Sequence, residues 1–134
     1  MRRLLALALL LCPAAATAAP PAVTAVAYAP KGDAVAFAAG GAVQLFNPAT
    51  GERTGVLPPV AGRVTALAFD PQGGRLAVAH GEAGKSGTVT LFRRDRSEAP
   101  AAFAAHKDAV YALAFGPDGG TLATAGYDRA VRLW

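Results

Sequence analysis

The 134-residue sequence predicts an all-β fold built from repeated four-stranded antiparallel sheets. Three observations carry that prediction. A unit recurs three times, as VTAVAYAPKGDAVAFAAGGAVQLF (23–46), VTALAFDPQGGRLAVAHGEAGKSGTVTLF (64–92) and VYALAFGPDGGTLATAGYDRAVRLW (110–134). Each copy sets a proline–glycine turn between two runs of strand-forming residues. Glycines and prolines punctuate the chain at short intervals, which disfavours helix throughout.

The prolines give the period. Pro30, Pro71 and Pro117 stand 41 and 46 residues apart, the longer step reflecting extra residues between Leu76 and Val89. Elsewhere the copies hold register, with 18 residues from Phe46 to Val64 and from Phe92 to Val110. A period of ~40–45 residues is that of a four-stranded propeller blade. The first strand of each copy is the apolar run at 64–69 or 110–115. It ends at Pro30-Lys31-Gly32, Pro71-Gln72-Gly73 or Pro117-Asp118-Gly119. Proline presets φ early in such a turn, and glycine tolerates the positive φ that closes it. Second strands follow at 34–38, 75–79 and 121–125, and third strands at 42–46, 88–92 and 130–134. The polar turn at 47–51 leads to a weaker fourth strand around 53–57, with a counterpart near 100–104.

These strands are apolar on both alternating sets of positions, as with Val110, Ala112 and Ala114 against Leu113 and Phe115. A strand with one wet face would alternate cleanly, so each sheet is expected to lie between two others. The expected architecture is two complete blades (about 23–57 and 64–104) and part of a third (110–134), an open segment of a propeller. Propellers typically use about 4 to 8 blades. The chain therefore reads as the front of a longer one, with the remaining blades supplied by that chain or by self-association.

Composition narrows the class. The chain is 53% hydrophobic and 16% charged, which excludes a disordered polyampholyte. Residues 1–20 read MRRLLALALLLCPAAATAAP. Arg2 and Arg3 precede a short apolar run at 4–11, and Ala16-Thr17-Ala18 offers a small-residue cleavage site, the order of a secretory signal peptide over 1–18. The run is too short for a bilayer span of about 20 residues. Leu11 stands before Cys12 where a lipobox needs a small residue, so lipid anchoring at Cys12 is not expected. The expected location is periplasmic or extracellular, with no stable membrane insertion after cleavage. The 13 basic residues less Arg2 and Arg3, against 9 acidic, leave a mature charge of only +2. That is poor support for a nucleic-acid partner. Cleavage also removes the sole cysteine, so no internal disulfide can form.

One stretch imitates a nucleotide site. Gly84-Lys85-Ser86 matches the end of a phosphate-binding loop, with Ala79 where the motif requires glycine. Such a loop must open a helix whose amides face the phosphates. GTVTLF at 87–92 reads as a strand instead, and no partner strand ends in a magnesium-holding carboxylate. The glycines at 81, 84 and 87 let a lengthened hairpin turn.

The third copy reaches recognisable residues. AHKDAVYALAFGPDGGTLATAGYDRAVRLW, 105–134, resembles the WD-repeat (WD40-type) family of β-propellers. His106 stands at the family's histidine, with Ala105 in place of its glycine. Phe115, Pro117, Asp118 and Gly119 match its first hairpin, Asp128 its turn aspartate and Trp134 its tryptophan. The resemblance is close over about 30 residues and looser over 23–134. It implies a buried hydrogen-bonded relay of His106, Thr124, Asp128 and Trp134. Asp128 can accept from the imidazole, and the indole N–H, a donor only, needs a buried partner. The first two copies depart from the pattern. Gly40 and Ser86 fall at the aspartate, Phe46 and Phe92 at the tryptophan, and Ala19 and Val60 at the histidine. Those two blades are expected to be held by apolar stacking and strand hydrogen bonds alone.

Together with the signal-peptide order of 1–18, the resemblance implies an exported bacterial member of that family, a non-catalytic scaffold for protein–protein interaction. Its contact surface would be the strand-connecting loops, including 81–87. RRDRSEAP at 93–100 is another loop candidate, read as solvated charge compensated by Asp95 and Glu98. The alternative is the N-terminal propeller of a larger exported redox or hydrolase enzyme with its chemistry beyond residue 134. No catalytic, cofactor or metal residues are assigned. Asp33, Asp70 and Asp118 lie on turns of separate blades and do not converge, and no second histidine or cysteine keeps ligand spacing with His106.

Overall fold

The computed structural model describes residues 19–134, so the signal peptide expected over 1–18 and Cys12 lie outside the described residues. Strands β1 (Val23–Tyr28), β2 (Val35–Ala39), β3 (Ala42–Phe46) and β4 (Arg53–Val56) form one sheet in that order. A second sheet runs β5 (Arg63–Phe69), β6 (Arg75–Glu82), β7 (Ser86–Arg93), β8 (Ala101–His106). The third holds β9 (Val110–Phe115), β10 (Leu122–Gly126) and β11 (Val131–Leu133). Neighbouring strands pair antiparallel throughout, so each sheet is a simple meander. No helix among the described residues is long and apolar enough to cross a membrane.

The three proline turns close alike. Ala29, Asp70 and Gly116 each donate a backbone N–H across the hairpin, to Ala34, Arg75 and Thr121. Gly32, Gly73 and Gly119 then donate back to Ala29, Asp70 and Gly116, each at 2.9 Å. All three glycines hold φ between 71° and 75°, a region that any side chain would strain. Sequence periodicity and turn chemistry thus agree on the same hairpin three times.

Two cores lie between the sheets. Ala36, Ala38, Val43 and Leu45 of the first sheet meet Val64, Leu76, Val78 and Phe92 of the second. Ala77, Ala79, Val89 and Ala105 on the second sheet's other face meet Val110 and Leu122 of the third. The middle sheet is therefore covered on both sides, as its two-sided apolarity requires. Alanine on one side of each contact lets the backbones approach closely.

The outer sheets have one covered and one open face. Val131 and Leu133 are 73% and 71% exposed, while their counterparts Val89 and Leu91 pack against the third sheet. At the other end Val26 and Tyr28 are exposed, while Leu67 and Phe69 at the matching positions pack on the first sheet. The molecule is an open segment of a propeller, and these faces have the chemistry of blade–blade contacts.

Two arginines add ties that sequence inspection did not anticipate. Arg94 donates to Asp33 Oδ2 (2.9 Å) and to the Gly73 carbonyl (3.1 Å). Its guanidinium lies over the Phe69 ring, linking the second sheet to a turn of the first. The hydrogen bond from Arg94 is the chief cause holding the Asp33 carboxyl below its ordinary range. Arg75 does the same on the other side. It pairs with Asp70 at 3.0 Å, donates to the Gly119 carbonyl at 2.5 Å and lies over the Phe115 ring. RRDRSEAP is thus only partly solvated charge: Arg93 pairs with Asp95, but Arg94 clamps two blades and Arg96 donates to the Val56 carbonyl.

Candidate functional site

The structure brings together the four residues nominated from the third copy. His106 ends β8, Thr124 lies in β10, Asp128 in the turn after it, and Trp134 follows β11. His106 Nδ1 is 2.7 Å from Asp128 Oδ1, and Nε2 is 2.8 Å from Thr124 Oγ1. The Trp134 indole donates to Thr124 Oγ1 at 3.0 Å. A consistent proton order follows from these partners. The indole N–H donates to Thr124, the Thr124 hydroxyl donates to Nε2, and Nδ1–H donates to Asp128, with Arg132 Nη1 lying against the same ring nitrogen. The histidine side chain is wholly buried. Because His106 belongs to the second sheet's outer strand, the relay binds one blade to the next. Trp134 also packs on Phe103 of β8, with ring centroids 4.7 Å apart.

Asp128 gathers more than the histidine. Its Oδ2 accepts from Arg132 Nη1 at 2.8 Å and from the Lys107 amide at 3.2 Å. Oδ1 also accepts from the Ala130 amide. Burial works to raise its pKa, but the hydrogen bonds from His106, Arg132 and the two amides outweigh it. The carboxyl is held well below its usual range, so it stays charged at ordinary pH.

The second sheet corrects the expectation that apolar stacking alone holds it. His80, near the end of β6, places Nδ1 2.8 Å from the Ala61 carbonyl and Nε2 2.8 Å from Thr90 Oγ1. A carbonyl only accepts, so Nδ1 carries the proton and Nε2 accepts from Thr90. Both His80 and Thr90 are buried. In repeat register His80 occupies the position of Gly126, Thr90 that of Arg132 and Val60 that of His106. An imidazole is delivered from the preceding connection in the third copy and from the blade's own strand in the second. The first sheet uses neither. Phe37, at the Thr124 position, stacks on Phe46, at the Trp134 position, with centroids 5.0 Å apart. Apolar packing does serve there.

His80 left a faint trace in the sequence: a histidine closing an otherwise apolar strand, two residues after the position of Thr124. Its first partner is a main-chain carbonyl, which no side-chain motif can show.

The antiparallel meander sends residues 39–42, 57–63, 82–86, 106–110 and 126–131 to one end of the sheets. The proline turns and residues 93–101 go to the other. The first end is grooved. A cleft of about 620 Å³ runs over the starts of β1, β5 and β9, lined by Thr24, Arg63, Glu82, Tyr111 and Tyr127 among others. A second cleft of about 410 Å³ adjoins it, sharing Thr24, Gly62 and Arg63. Residues 84–86 sit at this end as the β6–β7 hairpin, Gly84 donating its amide to Asp108 Oδ1 at 2.6 Å. A strand follows where a nucleotide site would need a helix. Among the described residues no group of three or more His, Cys, Asp or Glu side chains is placed to hold a metal ion.

Meandering antiparallel sheets, two four-stranded and one three-stranded, stacked face to face make an open segment with a WD40-like propeller fold. Comparison with known proteins agrees. Residues 98–134 match the family model "WD domain, G-beta repeat". The fold is similar to that of U3-55K, with a TM-score of 0.75 and 22% identity over 85% of this chain and 36% of that one. It is also similar to that of the RRP9 WD40 repeats, with a TM-score of 0.74 and 22% identity over 85% of this chain and 35% of that one. The chain thus spans about a third of the length of the solved structures it matches. No curated protein matches its sequence.

Proposed function

We propose that this chain is an exported, non-catalytic scaffold that binds another protein through the grooved end of its blades. The observation that carries the reading is the pair of adjoining clefts across the starts of the inner strands. They are rigidly backed by three stacked sheets and edged by the tilted Tyr111–Tyr127 pair, whose ring centroids stand 5.1 Å apart. Aromatic rings with one polar tip are frequent anchors in protein interfaces. At the opposite end Arg75, Arg94 and Arg96 donate to neighbouring blades.

A photo-crosslinking residue placed at position 83, beside the clefts, is expected to trap a protein adduct in the source cells. The same residue at position 72, on the opposite end, is expected to trap none. Adducts from position 72 alone, or from neither, would overturn the reading.

Export rests on the basic, apolar and small-residue order of residues 1–18. The expected N-terminal residue of the protein purified from its cells is Ala19. A chain that retains Arg2 and Arg3 in the cell would remove export from the proposal.

A further inference from the structure

We infer that the partner enters the paired clefts as an acidic extended segment, with a carboxylate seated between Arg63 and Thr24. This deepens the interaction reading above and rests on it.

Charge bookkeeping on the grooved end is the first support. Every carboxylate there is already engaged. Glu82 pairs with Lys85 at 2.7 Å. Asp108 accepts from the amides of Gly84 and Ala109, and Asp128 holds His106 and Arg132. The cations are not used up in the same way. Arg63, Lys107 and Arg129 form no side-chain ion pair among the described residues. The surface offered to a partner is therefore net positive although the chain as a whole is only weakly so. Potentials of this kind select the opposite charge and steer its approach.

A buried hydroxyl is the second support, independent of the first. Thr24, Thr65 and Tyr111 are repeat equivalents, each the second residue of the inner apolar run, and all three line the larger cleft. Thr65 donates its hydroxyl to the Ala79 carbonyl at 3.3 Å. Thr24 Oγ1 is buried and has no partner, the one such side-chain atom found among the described residues. Buried polar atoms are nearly always satisfied, so an orphan at a cleft points to a ligand group that completes it. Thr24 and Arg63 belong to both clefts, which places these two residues where the clefts meet. A carboxylate there would accept from the guanidinium and from the hydroxyl once it turns outward. The Tyr111–Tyr127 pair, 53% and 65% exposed, would take an apolar side chain further along the same segment.

The test uses the full chain, immobilised, and a display library of random twelve-residue peptides. Selected peptides are expected to be enriched in Asp and Glu beside an aromatic or aliphatic residue. Their binding is expected to fall about tenfold on Arg63→Gln, the loss of one charge-assisted hydrogen bond, and to weaken as salt rises. Thr24→Val is expected to weaken binding several-fold with no loss of thermal stability, because the hydroxyl it removes has no partner in the free protein. Arg93→Gln, on the opposite end, is expected to leave binding unchanged. Selection of neutral or basic peptides that still crosslink at position 83 would overturn the acidic-segment inference and leave the scaffold reading standing. Acidic peptides indifferent to Arg63→Gln and Thr24→Val would overturn the site. Failure to select any peptide, together with no adduct at position 83, would remove both.

Discussion

Gly126→Ala is expected to destabilise the full chain by about 2–3 kcal/mol, the cost of forcing a methyl group into a filled site. A Cβ at Gly126 would land on His106 Nδ1, 2.6 Å from Cγ of the same ring and 2.9 Å from Asp128 Oδ1. None of these neighbours has room to yield. The imidazole is fixed at both nitrogens, and Asp128 is fixed by Arg132 and two amides. Denaturant unfolding checks the number, and a second variant checks the cause. On a His106→Ala background the same Gly126→Ala change is expected to cost clearly less, since the ring is gone and of the three contacts only Asp128 Oδ1, at 2.9 Å, still opposes the new Cβ. Equal costs on both backgrounds would show that the glycine is required for some reason other than the ring.

The second sheet already contains the complementary experiment. There the strand residue is histidine and the connection residue is Val60, so the ring enters from the other side. Combining His106→Val, Gly126→His and Arg132→Thr imports that arrangement into the third sheet. The triple variant is expected to recover part of the stability that His106→Val alone loses. The three blades thus pack the same sheet face by three means: an imidazole from the preceding strand, an imidazole from the blade's own strand, and a stacked phenylalanine pair. What recurs within this chain is a packed face, more than any residue type.

That explains which parts of the molecule were legible in the sequence. The hairpins were, because proline and glycine act through their own backbone dihedrals, and Gly32, Gly73 and Gly119 needed no distant partner to declare themselves. The stacking of sheets was, because the second copy is apolar on both alternating faces. The relay in the third copy was, because four side chains with distinct chemistry keep a family spacing. His80 was not, since its proton goes to a main-chain oxygen and its strand position holds glycine or alanine in the other copies. Arg75 and Arg94 were also missed. Their register equivalents carry no charge, and their acceptors include turn carbonyls whose approach depends on how the blades stack. Arg75 did leave one local sign. Asp70 and Arg75 bracket a four-residue turn, a spacing that lets a charge pair close the hairpin it flanks.

Thr124→Val is expected to cost about 2 kcal/mol, with nearly all of that cost falling on the histidine. The substitution keeps the side-chain shape, so packing should change little, and the loss can be assigned to the hydroxyl. Two groups lose a partner: His106 Nε2 and the Trp134 indole N–H. Leaving a buried polar atom unsatisfied costs about 1–3 kcal/mol. The histidine side chain is wholly buried and has nowhere else to turn, whereas Trp134 is 45% exposed and its N–H can find water. Trp134 is the sole tryptophan, so its fluorescence reports the indole directly. The expected signature is therefore double: a fall in unfolding free energy, and a red shift of native-state emission as the indole hydrates. Thr124→Ser keeps the oxygen and should preserve the emission. On a His106→Ala background Thr124→Val should shift the emission while costing little stability, because the buried acceptor is absent. A full loss of stability on that background would assign the hydroxyl's worth to the tryptophan and reverse the order of importance within the relay.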